Sequence, residues 1–325
     1  MPDAFFTVGD QTRAVTSIRR GTNGQPQSLN ASIPDGDTIG VHVEGSGAVR
    51  FLGIDTPEKS FQLPGSAGAR RLDSAEWESY LTDPFLPQFG PFALDASLAD
   101  HLRTRIGAGA GVNHRFHGDN AEQALIALVQ SDMTALGQNL NTFGYFLAFS
   151  FEVFDTFGRF LAFINRNQPD ANNPGPRPLS YNERMLENGA SLPYFIWPNI
   201  DPFRTSSLLD AVIAPGTANT VANATPPLSR ARNFVQQARA NGSGVFKPAS
   251  PANPAAPLRF EAFEVRYLGR RERPNRAVID LSRNDDVILR PQSYFRIPNP
   301  EDRLFIPPAF VPLFVARGWR LEGWF

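Results

Sequence analysis

Three short candidate strands, near 27–33, 38–43 and 48–54, the second and third rich in valine, isoleucine or phenylalanine, are cut by Pro34-Asp35-Gly36 and by Glu44-Gly45-Ser46-Gly47. Each run is too short for a stable helix, and the breaks hold the residues that favour tight turns, so this stretch reads as an antiparallel meander. Aromatic, β-prone residues return over 143–154 and 159–164, hinged at Thr156-Phe157-Gly158, and predict a closing hairpin. Apolar residues at helical spacing predict helices near 74–81, 94–106, 121–136, 180–188 and 228–240. Five strands with such helices suit an α+β to mainly β fold, a five-stranded barrel of the oligonucleotide/oligosaccharide-binding (OB) type with helical insertions at about 59–90 and 107–142.

The predicted organisation is a polar lead-in over 1–26, a main domain over 27–247, a Pro/Ala/Ser linker over 248–257 and a small β-rich appendage over 258–325. In the appendage, 259–267 alternates apolar and charged residues, and 277–281 and 287–289 are β-branched. Nine arginines against six acids between Arg259 and Arg296 leave room for a nucleic-acid contact, with packing on the main domain as the equal alternative.

The chain has 325 residues, is 42% hydrophobic and contains no run long and apolar enough for a membrane span. With no basic, apolar start after Met1, a cytoplasmic location is the default expectation. The absence of cysteine excludes disulfides and thiolate metal sites. A net charge of −1 argues against coating nucleic acid through a bulk field, so any phosphate binding must be local. Lys59 and Lys247 are the only lysines; nearly all positive charge is arginine, which forks onto phosphate.

Two segments concentrate chemistry: Asp35-Gly36-Asp37-Thr38, and Arg50-Phe51-Leu52-Gly53-Ile54-Asp55-Thr56-Pro57-Glu58. A third, Asp155-Thr156-Phe157-Gly158-Arg159, adds a second arginine. Clustered carboxylates suit a hard divalent cation, a carboxylate can orient or deprotonate water, and guanidinium donors suit a developing phosphorane. Asp35-Gly36-Asp37 alone would read as a turn, and a lone arginine as a surface residue; the combination points to a phosphodiester site. His114 and His117 stand three apart but nothing nearby completes a metal site, so a structural role is the expectation.

These blocks, with Tyr181-Asn182-Glu183-Arg184-Met185-Leu186-Glu187-Asn188-Gly189 and Leu192-Pro193-Tyr194-Phe195-Ile196-Trp197-Pro198-Asn199, resemble the staphylococcal (thermonuclease-like) nuclease family in order and spacing. The resemblance runs from about Gln27 to Lys247. It implies Ca²⁺ held by Asp37, Asp55 and the Thr56 carbonyl, with Asp35 beside them as an outer carboxylate. It also implies Glu58 positioning or deprotonating water, Arg50 and Arg159 clamping phosphate, and hydrolysis of DNA and/or RNA that leaves 3′-phosphate ends. Phe195 and Trp197 fall where the family holds the nucleobase, with core packing as the even alternative. Phe157 stands where the family often has tyrosine. The rival expectations are an inactive OB-type module that binds nucleic acid or protein without cutting, and a protein-interaction platform with a vestigial site.

Overall fold

Residues 5–8, 11–14, 16–33, 41–43, 47–203, 206–248 and 257–323 are described in the computed structural model of the chain. The turn carrying Asp35 and Asp37, and the strand expected from residue 38 up to residue 40, lie outside them. Two compact units are present: Met1–Arg50 with Phe151–Ala162, and Phe51–Ser150 with Phe163–Phe325.

In the first unit, β1 (Phe5–Val8) pairs antiparallel with β2 (Gln11–Ala14), and β3 (Ser17–Ile18) with β4 (Val41–His42). The run expected as a strand near 27–33 instead holds a single helical turn, α1 (Leu29–Ser32). Ser28 caps it, accepting the Ala31 N–H on its side chain. The predicted hairpin is present as β9 (Tyr145–Phe154) and β10 (Phe160–Arg166), of which only 151–154 and 160–162 are counted with this unit. With β5 (Val49–Phe51) these strands form a three-stranded sheet ordered β5, β10, β9.

The second unit is built on a six-stranded sheet. Its strands are β6 (Gly53–Asp55), β11 (Leu192–Ile196), β12 (Ala277–Asp280), β13 (Val287–Leu289), β14 (Arg303–Ile306) and β15 (Arg320–Glu322), in the order β15, β13, β12, β14, β11, β6. Side-chain alternation divides the interior into two cores, one on each face. Ile54, Phe195, Trp197, Ile279, Leu304 and Ile306 point into one, covered by α5 (Tyr181–Glu187), α6 (Ala218–Ala224), α7 (Pro226–Ala240) and α9 (Val311–Ala316). Tyr194, Val278 and Phe305 point into the other, beneath α2 (Ala75–Thr82), α3 (Ala96–Arg103) and α8 (Ala262–Arg270). A small hairpin, β7 (Ser60–Gln62) with β8 (Ala69–Arg71), and the long α4 (Ala110–Ala135) complete the unit.

Several expectations are corrected. The chain is a mixed α+β protein, 37% helix and 19% strand, and no closed barrel forms among the described residues. The run 48–54 is not one strand. It breaks at Leu52, where β5 ends in one sheet and β6 begins in another, and Gly53 at φ +75° makes the change of direction that a side chain would strain. The tail read as an appendage supplies four of the six strands of the large sheet. Its alternating stretch 259–267 is largely helix, not strand. Glu261 and Glu264 form a capping box, and the helix is buried along most of its length; the charged residues at 259, 261, 264 and 266 fall close to every second position and so imitate the period of a strand.

Among the described residues no helix is long and apolar enough to cross a membrane.

Candidate functional site

Asp55 closes β6 opposite Leu192 of β11 and is 6% exposed. Its position depends on the bend just before it. Asn182 of α5 donates from Nδ2 to the Leu52 carbonyl at 2.8 Å and accepts the Ile164 N–H at 2.9 Å on Oδ1. Two polar backbone groups left by the change of sheet are thereby satisfied. After Asp55, half-buried Thr56 and buried Pro57 lead to Glu58, whose side chain is 27% exposed.

The Glu58 turn is backed by α4, part of the predicted insertion 107–142. Gly118 lets the helix approach: a Cβ there would lie 2.8 Å from the Pro57 carbonyl oxygen and 3.4 Å from the Glu58 carbonyl carbon. Lys59 Nζ then pairs with Glu122 at 2.6 Å and Asp119 at 3.3 Å, and Arg115 donates to the Lys59 carbonyl at 3.2 Å. Farther along α4, buried Asp132 accepts from Arg184 of α5 at 2.5 Å and from Arg166 of β10 at 3.2 Å. Burial opposes ionisation of Asp132, but bonds and charge from Arg184, Tyr181 and Arg166 hold its pKa below the ordinary value.

The sequence reading missed the residue that completes this site. Arg266 of α8 donates from Nη2 to Asp55 Oδ2 at 2.6 Å, and from Nη1 to Asp55 Oδ1 at 3.0 Å and Glu58 Oε1 at 2.8 Å. Its guanidinium also lies 5.7 Å from the centre of the Tyr194 ring. Burial opposes charge on Arg266, yet Asp55 foremost, with Tyr194 and Glu58, more than offsets this and raises its pKa. Gly269, three residues on and so on the same helix face, brings α8 against β7: a Cβ there would meet the Gln62 carbonyl oxygen at 2.5 Å. One signal for Arg266 was present in the sequence, a cation inside an apolar-rich stretch, which needs a counter-charge when buried.

The two carboxylates expected to act together therefore converge on one nitrogen. They are hard oxygen donors of the type a divalent cation takes, so their chemistry fits Ca²⁺, but both are already balanced by Arg266. Among the described residues no group of three or more His, Cys, Asp or Glu could hold a metal; Asp35 and Asp37 lie outside that set. His114 and His117 are buried on α4, and His114 lies against Phe260 with ring centres 4.6 Å apart. Burial, and then His117 beside it, lower the His114 pKa to about 3.

Arg50 and Arg159 belong to the other unit. Arg50 is half-buried in β5. Arg159 pairs with Asp155 at 2.7 Å, and Asp155 also accepts the N–H groups of Phe157 and Arg159 at 2.9 and 3.0 Å, so these residues form a closed turn. Trp197 is fully buried, donates to the Ala211 carbonyl at 3.2 Å and meets Phe310 and Phe314 edge-on. Phe195 is 3% exposed, in the same core. Their burial favours the core alternative, although Phe195 still borders a cavity of about 330 Å³.

No family model, no curated protein and no solved structure matches the chain.

Proposed function

We propose that the chain is a nuclease hydrolysing phosphodiester bonds of DNA and/or RNA. One observation carries the reading: Asp55 and Glu58, picked out as a working pair by their motif, converge on the same guanidinium nitrogen. Glu58, the more exposed of the two, orients water and accepts its proton as the water oxygen bonds to phosphorus and the ester oxygen leaves. Asp55, fixed on a strand end, would hold a hard cation together with Asp37 and the Thr56 carbonyl; Ca²⁺ bound there would polarise a phosphate oxygen. Arg266 holds the two acids close at little electrostatic cost. Arg50 and Arg159 carry the phosphate-clamping role by resemblance alone.

The same contact favours a second reading. Carboxylates already neutralised by an internal cation are what an inactive binding module would retain, and Ca²⁺ must compete with Arg266 for Asp55. Single-stranded and duplex DNA and RNA, incubated with Ca²⁺ or with chelator and followed by end-group determination, separate the two. Cleavage only with Ca²⁺, leaving 3′-phosphate ends and lowered about 10²-fold or more in Glu58→Gln, is expected of the nuclease. Undiminished cleavage in chelator refutes the metal role, and binding of nucleic acid without cleavage establishes the binding module.

A further inference from the structure

Beside the acid pair, the end of α8, the loop over 271–276 and the buried face of Tyr194 enclose a recess of about 180 Å³. Four arginines line it, Arg266, Arg270, Arg273 and Arg276, against one carboxylate, Glu272. The charge of Arg266 is balanced by Asp55 and Glu58. The other three have no ion-pair partner among the described residues, yet each is held by neutral groups. Arg276 donates to the Tyr194 hydroxyl at 2.8 Å, with its guanidinium 5.6 Å from that ring's centre. Arg273 donates from Nε to the Ala93 carbonyl at 2.5 Å, which leaves both Nη groups as donors, and Arg270 lies over Phe61 at 5.5 Å.

Their fixed partners are neutral, so the three like charges gathered at one recess repel one another with Glu272 as the one carboxylate lining it. An anion in the recess removes that cost, and guanidinium forks match the oxygens of phosphate. Tyr194 joins the recess to the acids, since Arg266 and Arg276 both lie at its ring. All four arginines fall beyond the part of the chain on which the family resemblance rests.

We propose that this recess is a phosphate subsite that takes a nucleic-acid phosphate neighbouring the one presented to Asp55 and Glu58. The assignment to nucleic acid rests on the proposed phosphodiester reading, whereas the anion chemistry is independent of it.

Calorimetric titration of the full chain in chelator, where no hydrolysis is expected, tests it with inorganic phosphate, adenosine 5′-monophosphate, adenosine and a short single-stranded oligonucleotide. Arg270 and Arg273 are exposed, so the double variant Arg270→Gln/Arg273→Gln should fold; Arg283→Gln, an exposed arginine elsewhere, controls for lost charge. Expected results are binding of phosphate and the monophosphate but not adenosine, at least tenfold weaker binding in the double variant, and unchanged binding in Arg283→Gln. For the oligonucleotide, the slope of log affinity against log salt should shrink by about 0.7, the contribution of one lost phosphate contact to a single strand. Equal affinity in the double variant, or adenosine binding as well as its monophosphate, overturns the subsite. Monophosphate binding without oligonucleotide binding overturns the nucleic-acid assignment in favour of a small phosphorylated ligand. Recess-dependent phosphate and oligonucleotide binding with no cleavage in Ca²⁺ supports the subsite while refuting the nuclease reading. Ca²⁺-dependent cleavage with unaltered phosphate affinity in the double variant does the reverse.

Discussion

Replacing Arg266 by methionine keeps the apolar stem and removes the guanidinium that neutralises Asp55. Asp55 is 6% exposed and accepts two of the three bonds, so its share dominates. Removing one member of a buried ion pair costs about 3–5 kcal/mol, because the remaining charge stays desolvated. Glu58 is wetter and adds under about 1 kcal/mol. For a chain of this size, with about 2.1 cal/mol/K of unfolding entropy per residue, the loss corresponds to a fall in Tm of roughly 4–9 °C. The decisive measurement is a double-mutant cycle by urea unfolding. Asp55→Asn alone should also destabilise, whereas Asp55→Asn with Arg266→Met should fall short of the summed losses by about 2–3 kcal/mol. Single variants within ~0.5 kcal/mol of wild type, or strictly additive effects, would refute the pairing and with it the contribution of α8 to the site.

Ending the chain near Lys247 should remove cooperative unfolding and lead to aggregation, since it strips four strands from the sheet and takes Phe260, Leu268, Ile279, Leu304 and Phe314 from the two cores; a soluble, folded truncation by circular dichroism and gel filtration would refute this. Gly118→Ala should destabilise by about 1–3 kcal/mol despite alanine's better helix propensity, and should lower any activity that depends on Glu58, because its Cβ pushes α4 off the Pro57 carbonyl; stabilisation of ~1 kcal/mol would show the approach to be looser. Burial and the neighbouring Arg105 lower the His101 pKa to about 4. The unfolded chain therefore binds the proton first, and the stability present above pH 6.5 should decline by ~3 kcal/mol at most as pH falls to about 4. Unfolding midpoints across that range should fall less steeply in His101→Gln, the slope due to His114 remaining, and an unchanged slope would remove His101 as a cause.

Local pattern alone determined much of the secondary structure. The helices near 74–81, 94–106, 180–188 and 228–240 and the hairpin around Gly158 were legible because each shows its period within one element and ends at a recognisable turn or cap. Asp55 and Glu58 were legible as a pair because their separation is local, with Pro57 between them. Tertiary structure decided whatever depended on distant partners. Residue 52 ends a strand because Asn182, 130 residues away, binds its carbonyl and Gly53 turns the chain into a second sheet. Residues 262–270 form a helix capped by Glu261 and Glu264, and the charges that resemble a strand's alternation, Glu264 and Arg266, find their partners only across the fold. Arg266 meets Asp55 across 211 residues because Gly269 lets α8 lie on β7. Periodicity reports which face of an element is buried; close backbone approach and the partner of a buried charge are set only when the elements pack.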